Sequence, residues 1–183
     1  SSLMLRYSSR VEVHKELDAA EAANPDFVAA VKAKSVTEIE ADDQLRAFAT
    51  AAGAAAFKVN CIQCHGSGAA GSAGYPNLND DDWLWGGKLD DVYLTITHGI
   101  RFAGDDETRV SEMTSFNDIL TGDQIAEVSA YVAGLSGTAS SPDLAAKGAP
   151  VFAENCASCH GEDAKGNREL GAPDLTDAIW LYG

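Results

Sequence analysis

Asn60-Cys61-Ile62-Gln63-Cys64-His65 decides how this 183-residue chain folds, and it recurs as Asn155-Cys156-Ala157-Ser158-Cys159-His160. Cys-x-x-Cys-His is the spacing of covalent haem c attachment. Two thiols three residues apart lie on one face of a helical turn, so both reach the vinyl edge of one porphyrin as thioethers. The histidine that follows is rotated round the turn and brings its imidazole under the iron as proximal ligand. The sequence therefore predicts two covalent haem c groups. One is held by Cys61 and Cys64 with His65 on the metal, the other by Cys156 and Cys159 with His160. The two copies use all four cysteines in the chain.

Other uses of paired cysteines fit less well. A zinc ribbon places its second cysteine pair within about 15–20 residues, whereas here Cys156 follows Cys61 by 95 residues. A redox dithiol of the thioredoxin kind needs a βαβ pattern, which the flanks lack. Paired disulfides would leave the two trailing histidines without a reason.

The 95-residue offset implies two small tandem domains. Residues 1–36 read as a helical arm and 37–136 as the first haem domain; 137–143 form a linker, and 144–183 open the second domain. In the arm, Ser9 to Glu12 reads as a capping box for a polar helix to about Ala23. Asn24-Pro25 then caps a short helix to about Lys34. His14 lies among charges and reads as solvated.

Leu45, Phe48, Ala49, Ala52, Ala56 and Val59 follow helical spacing into Cys61. Gly53, inside that helix, marks where a c-type cytochrome crosses its terminal helix. A second helix carries Leu89, Val92, Tyr93 and Ile96, and a capping box at Thr121–Gln124 opens a closing helix with Ile125, Val128, Val132 and Leu135. No strand is predicted. This order gives an all-α architecture of two tandem class I cytochrome c domains, the second truncated. Gly148 and Phe152 repeat Gly53 and Phe57 at the same offset, and residues 171–183 align without gaps on residues 74–86.

Several further residues have expected roles. Met113 stands in a loop 48 residues after His65, where a thioether serves as sixth ligand and raises the reduction potential. His98 is its rival. The carbonyls of Pro76 and Pro173 are expected to accept the Nδ1 proton of the proximal histidines, fixing the tautomer. Arg101 is a candidate bidentate partner for a haem propionate. Trp83, Trp85, Trp180 and Tyr182 read as haem-edge packing. No methionine follows His160, so the second haem has no sixth ligand from this sequence.

A formal net charge of −15 argues against nucleic acid and anionic lipid, and favours a donor with a basic docking face. No stretch reaches the ~20 apolar residues of a membrane span. Leu3-Met4-Leu5-Arg6-Tyr7 reads as the stub of an apolar segment, so the membrane would be met only through an absent N-terminal helix.

Tyr7-Ser-Ser-Arg10, the stretch 79–87, Thr95-Ile-Thr-His-Gly-Ile-Arg101 and the stretch 166–183 resemble the dihaem subunit of cbb(3)-type cytochrome c oxidases. The family's ligand methionine opens Met-Pro-x-Phe; here the segment reads Met113-Thr-Ser-Phe116. The resemblance implies an electron-transfer subunit on the periplasmic side of the bacterial inner membrane, with no catalytic site of its own. It would pass electrons from a periplasmic donor cytochrome to the other subunits of a haem–copper oxidase. A free-standing periplasmic dihaem carrier is the alternative. A dihaem peroxidase would need an open iron and an acid–base group above it, and the sequence offers no such base.

Overall fold

The computed structural model describes Lys15, residues 24–138 and residues 141–182. The expected capping box at Ser9–Glu12, its polar helix, and His14 lie outside the described residues. Among the described residues the regular structure is helical, with isolated bridges at Ser72–Tyr75, Ile100–Arg109 and Asn167–Ala172 and no strand. No helix among them is long and apolar enough to cross a membrane. The chain divides into two compact units, residues 1–80 with 181–183, and residues 81–180. The division falls inside the segment 37–136.

The first unit holds α1 (Pro25–Ala33), α2 (Val36–Ala41), α3 (Asp43–Asn60) and the single turn α4 (Ile62–His65). Pro25 opens α1 at a position where its missing N–H costs nothing. Asn24 precedes it but makes no side-chain cap bond, so only half of the expected start is realised. α2 begins with a full capping box between Ser35 and Glu38. Asp42 caps α3 by accepting from the N–H groups of Gln44 and Leu45. Phe27 of α1 stacks on Phe48 of α3 at 5.4 Å, and Leu45 is buried. The arm is thus fastened to the helix that delivers the first cysteine pair.

The second unit holds α5 (Leu89–His98), α6 (Gly122–Leu135), α7 (Pro142–Asn155) and the turn α8 (Ala157–His160). The predicted capping box opens α6: Thr121 and Gln124 each bond the other's backbone N–H. α6 packs on α7, and this contact carries the core. Phe152, Ala164 and Leu175 are buried there, with Val128, Tyr131, Val132 and Leu135 packed on them. Phe152 is 2% exposed, which is worth about 1.5–3 kcal/mol for such a ring. Its ring meets that of Tyr131 at 5.3 Å.

The glycine crossing differs from the expectation. A Cβ built on Gly53 has nothing within 4 Å. One built on Gly148 meets the Glu127 carbonyl oxygen, the Glu127 carbonyl carbon and Tyr131 Cβ. The close helix approach is therefore at Gly148. Val151, which is buried, stands where the first copy has Ala56.

Candidate functional site

Each motif is built by the same backbone path. α3 ends at Cys61 and α7 at Cys156, both with αR torsions, so each helix breaks and restarts for one turn. The His65 N–H donates to the Cys61 carbonyl at 2.9 Å, and the His160 N–H to the Cys156 carbonyl at 3.0 Å. The chain then doubles back. The Gly71 N–H returns to the His65 carbonyl at 2.9 Å, and the Gly166 N–H to the His160 carbonyl at 2.8 Å. A closing bond runs from the Leu78 N–H to Ala69, and from the Leu175 N–H to Ala164, each at 2.8 Å.

Glycine is required where this loop folds on itself. A Cβ at Gly71 would lie 2.5 Å from the Tyr75 carbonyl oxygen and 2.7 Å from the Pro76 carbonyl carbon. One at Gly166 would collide with the Ala172 carbonyl oxygen and sit 2.6 Å from the Pro173 carbonyl carbon. Both residues also have positive φ, 73° and 79°, which glycine adopts without strain.

This folding brings each proline carbonyl to its histidine. His65 Nδ1 is 3.0 Å from the Pro76 oxygen, and His160 Nδ1 is 3.2 Å from the Pro173 oxygen. A carbonyl only accepts, so Nδ1 carries the proton and Nε2 keeps a lone pair for a metal. All four cysteines are free thiols. Burial pushes the Cys156 thiol up, with a smaller contribution from Cys159. In the first copy the Tyr75 hydroxyl is raised mainly by its hydrogen bond with Cys64. Its ring stands edge-on to His65 at 6.1 Å. Two free thiols beside an imidazole whose outer nitrogen is held by a carbonyl form a donor set that fits haem c in both copies.

The remaining expected residues are placed as follows. Met113 lies in an irregular segment and is 77% exposed. Phe116 behind it is half-buried and accepts from the N–H groups of Ile119 and Leu120. His98 ends α5, with Nδ1 2.9 Å from Asp105 and Nε2 3.5 Å from Glu107. Both of its ring nitrogens therefore face carboxylates. Arg101 is exposed and donates to the Ser111 carbonyl at 2.6 Å. Trp83 and Trp85 are half-buried, while Trp180 and Tyr182 are exposed.

Two cations were not singled out by the sequence reading. Arg109 lies over the Trp85 ring at 5.1 Å, donates to the Trp85 carbonyl at 2.7 Å, and bonds Asp91 and Thr95. Its Nε is buried without a partner. Lys165 reaches Asp174 and Thr176. Neither has a local sequence signature, since their partners are 9 to 24 residues away.

The cytochrome c family model matches residues 50–136 and 145–183, so each segment contains one motif. The chain belongs to the cytochrome c family. It is 61% identical over 180 residues to the cbb3-type cytochrome c oxidase subunit FixP of Rhizobium meliloti, an alignment covering 98% of this chain and 62% of the relative. It is 50% identical over 182 residues to the corresponding subunit CcoP of Cereibacter sphaeroides, covering 98% and 63%. Against FixP of Bradyrhizobium diazoefficiens the identity is 49% over 180 residues, covering 97% and 62%. The chain thus spans under two thirds of the length of these relatives. As expected from the family, the fold is all-α.

Proposed function

We propose that this chain is the haem-bearing portion of an electron-transfer subunit of a cbb(3)-type haem–copper oxidase, carrying two covalent haem c groups. It takes electrons from a periplasmic donor cytochrome and delivers them to the other oxidase subunits at the inner membrane. The observation that carries this reading is the duplicated loop: twice, two free thiols flank a histidine whose Nδ1 meets a proline carbonyl. The identity to cbb3-type subunits along nearly the whole chain supplies the partner complex.

Bound haem supplies a one-electron iron couple, and the protein's task is to hold it and set its potential. Cys61, Cys64, Cys156 and Cys159 form the thioethers. His65 and His160 present Nε2 to the metal, and the proline carbonyls hold each ring at a fixed angle while raising its basicity. Met113 is the sixth ligand of the first site. Its segment is irregular and its side chain is largely exposed. Arg101 is kept as propionate partner, with one guanidinium nitrogen on Ser111 and the remaining donors available for a carboxylate. The charge of −15 steers a donor with a basic face.

The test uses the full-length subunit in its complex. Cys156→Ala/Cys159→Ala should halve the covalent haem per chain and stop oxygen uptake driven by a reduced donor cytochrome. Undiminished covalent haem would overturn the haem assignment. Undiminished oxygen uptake, or a haem protein that never co-purifies with haem–copper subunits, would overturn the relay and favour a free carrier.

A further inference from the structure

The two haem loops share a backbone but are fastened differently. In the first copy the segment after Pro76 is tied by a neutral side chain. The Asn79 amide donates to the Gly68 carbonyl at 2.7 Å, and the Asn79 N–H to Asn77 Oδ1 at 3.0 Å. In the second copy Asp174 and Thr176 stand in place of Asn77 and Asn79, and Lys165 in place of Ala70. The Lys165 ammonium donates to Asp174 Oδ2 at 3.1 Å and also bonds the Thr176 hydroxyl. The Thr176 N–H and hydroxyl each donate to Asp174 Oδ1 at 2.7 Å. Burial pushes the Asp174 carboxyl up, but the Thr176 bonds and Lys165 outweigh it and hold the group below its usual value.

Lys165 precedes Gly166, whose N–H closes on the His160 carbonyl. Asp174 follows Pro173, whose carbonyl faces His160 Nδ1. The ion pair therefore joins the two arms of the loop immediately beyond the points that fix the histidine.

We infer that the Lys165–Asp174–Thr176 lock makes Lys165 a positioning residue for His160, acting through the Pro173 carbonyl, and gives the second haem site a tuning device that the first lacks. The inference rests on the haem reading above. The firmer the carbonyl is held against Nδ1–H, the more basic the imidazole and the more the oxidised metal is favoured. A loosened lock thus raises the potential of the second site alone. Lys165 is more than half exposed, so the effect is bounded at about fivefold.

The variant Lys165→Ala/Asp174→Asn copies the first loop and leaves net charge unchanged, so a simple field effect largely cancels. Asn at 174 retains an acceptor for the Thr176 N–H, which preserves the turn. In the full-length subunit within its complex, spectroelectrochemistry should show the second haem's oxidation equilibrium shifted about three- to fivefold toward the reduced form. That is about 28–41 mV at 59 mV per tenfold. The first haem should not move. The His160 Nδ1–H should exchange faster with solvent in the reduced protein, and Lys165→Arg alone, which keeps the cation and Asp174, should hold both readouts at the parent values. A second-site equilibrium within twofold of the parent, or equal shifts at both haems, overturns the lock. A wild-type full-length subunit with no haem covalently bound at Cys156 and Cys159 would instead overturn the underlying haem reading.

Discussion

One methyl group at Gly148 should force α6 and α7 apart. The added Cβ would lie 2.5 Å from the Glu127 carbonyl carbon and 2.8 Å from Tyr131 Cβ, and closer still to the Glu127 oxygen. Two of these atoms are backbone within α6, so they cannot swing aside as a side-chain tip would. Overpacking of this kind costs about 1–3 kcal/mol. Separation of the helices also uncovers part of Phe152, whose full burial is worth about 1.5–3 kcal/mol. Replacing glycine by alanine inside a helix returns about 1 kcal/mol. The net loss for Gly148→Ala is then on the order of 2 kcal/mol, or about 4–8 °C in Tm for a chain of this size. Gly53 supplies the matched control. It occupies the equivalent helix position with nothing within 4 Å, so Gly53→Ala should keep the propensity gain and raise Tm by about 2–4 °C. Thermal unfolding followed by far-ultraviolet circular dichroism reads both. The packing argument is refuted if Gly148→Ala melts at or above the parent, or if both variants fall by the same amount.

Met113→Ala should turn one haem high-spin in the visible spectrum and leave helix content unchanged; an unaltered spectrum would remove Met113 from the iron and point to His98. The Asp105 carboxyl is held below its ordinary 3.8, first by the Glu107 backbone N–H and then by His98. A depressed folded value gives stability that is complete above pH 3.8 and lost as pH falls through that lower value. Asp105→Asn should therefore flatten the acid side of a urea-midpoint profile below that pH. An unchanged slope would show that the group titrates alike in both states.

Much of this was readable because the decisive bonds are short-range. The thiols and histidine of each motif lie within one turn, and the capping box at Thr121 is a local exchange between residues three apart. The prolines at 76 and 173 were legible through the repeat, since the stretches around them align, although Pro76 follows His65 by 11 residues and Pro173 follows His160 by 13. The helix crossing was not. Gly53 and Gly148 look alike in sequence, and only the packing of α6, through Glu127 and Tyr131, tells them apart. Arg109 stayed hidden for a similar reason. Its acceptors at residues 85, 91 and 95 are brought together only by the fold. The Ser35–Glu38 cap shows the opposite case, a local exchange between residues three apart that the sequence reading did not single out.

In the doubled-back loop after each histidine the chain is turned on itself by main-chain bonds, from Gly71 and Leu78 in one copy and Gly166 and Leu175 in the other. Such bonds use atoms that every residue carries, so the path of the loop tolerates replacement of most of its side chains. The glycines, whose place no larger residue can take, are the exception.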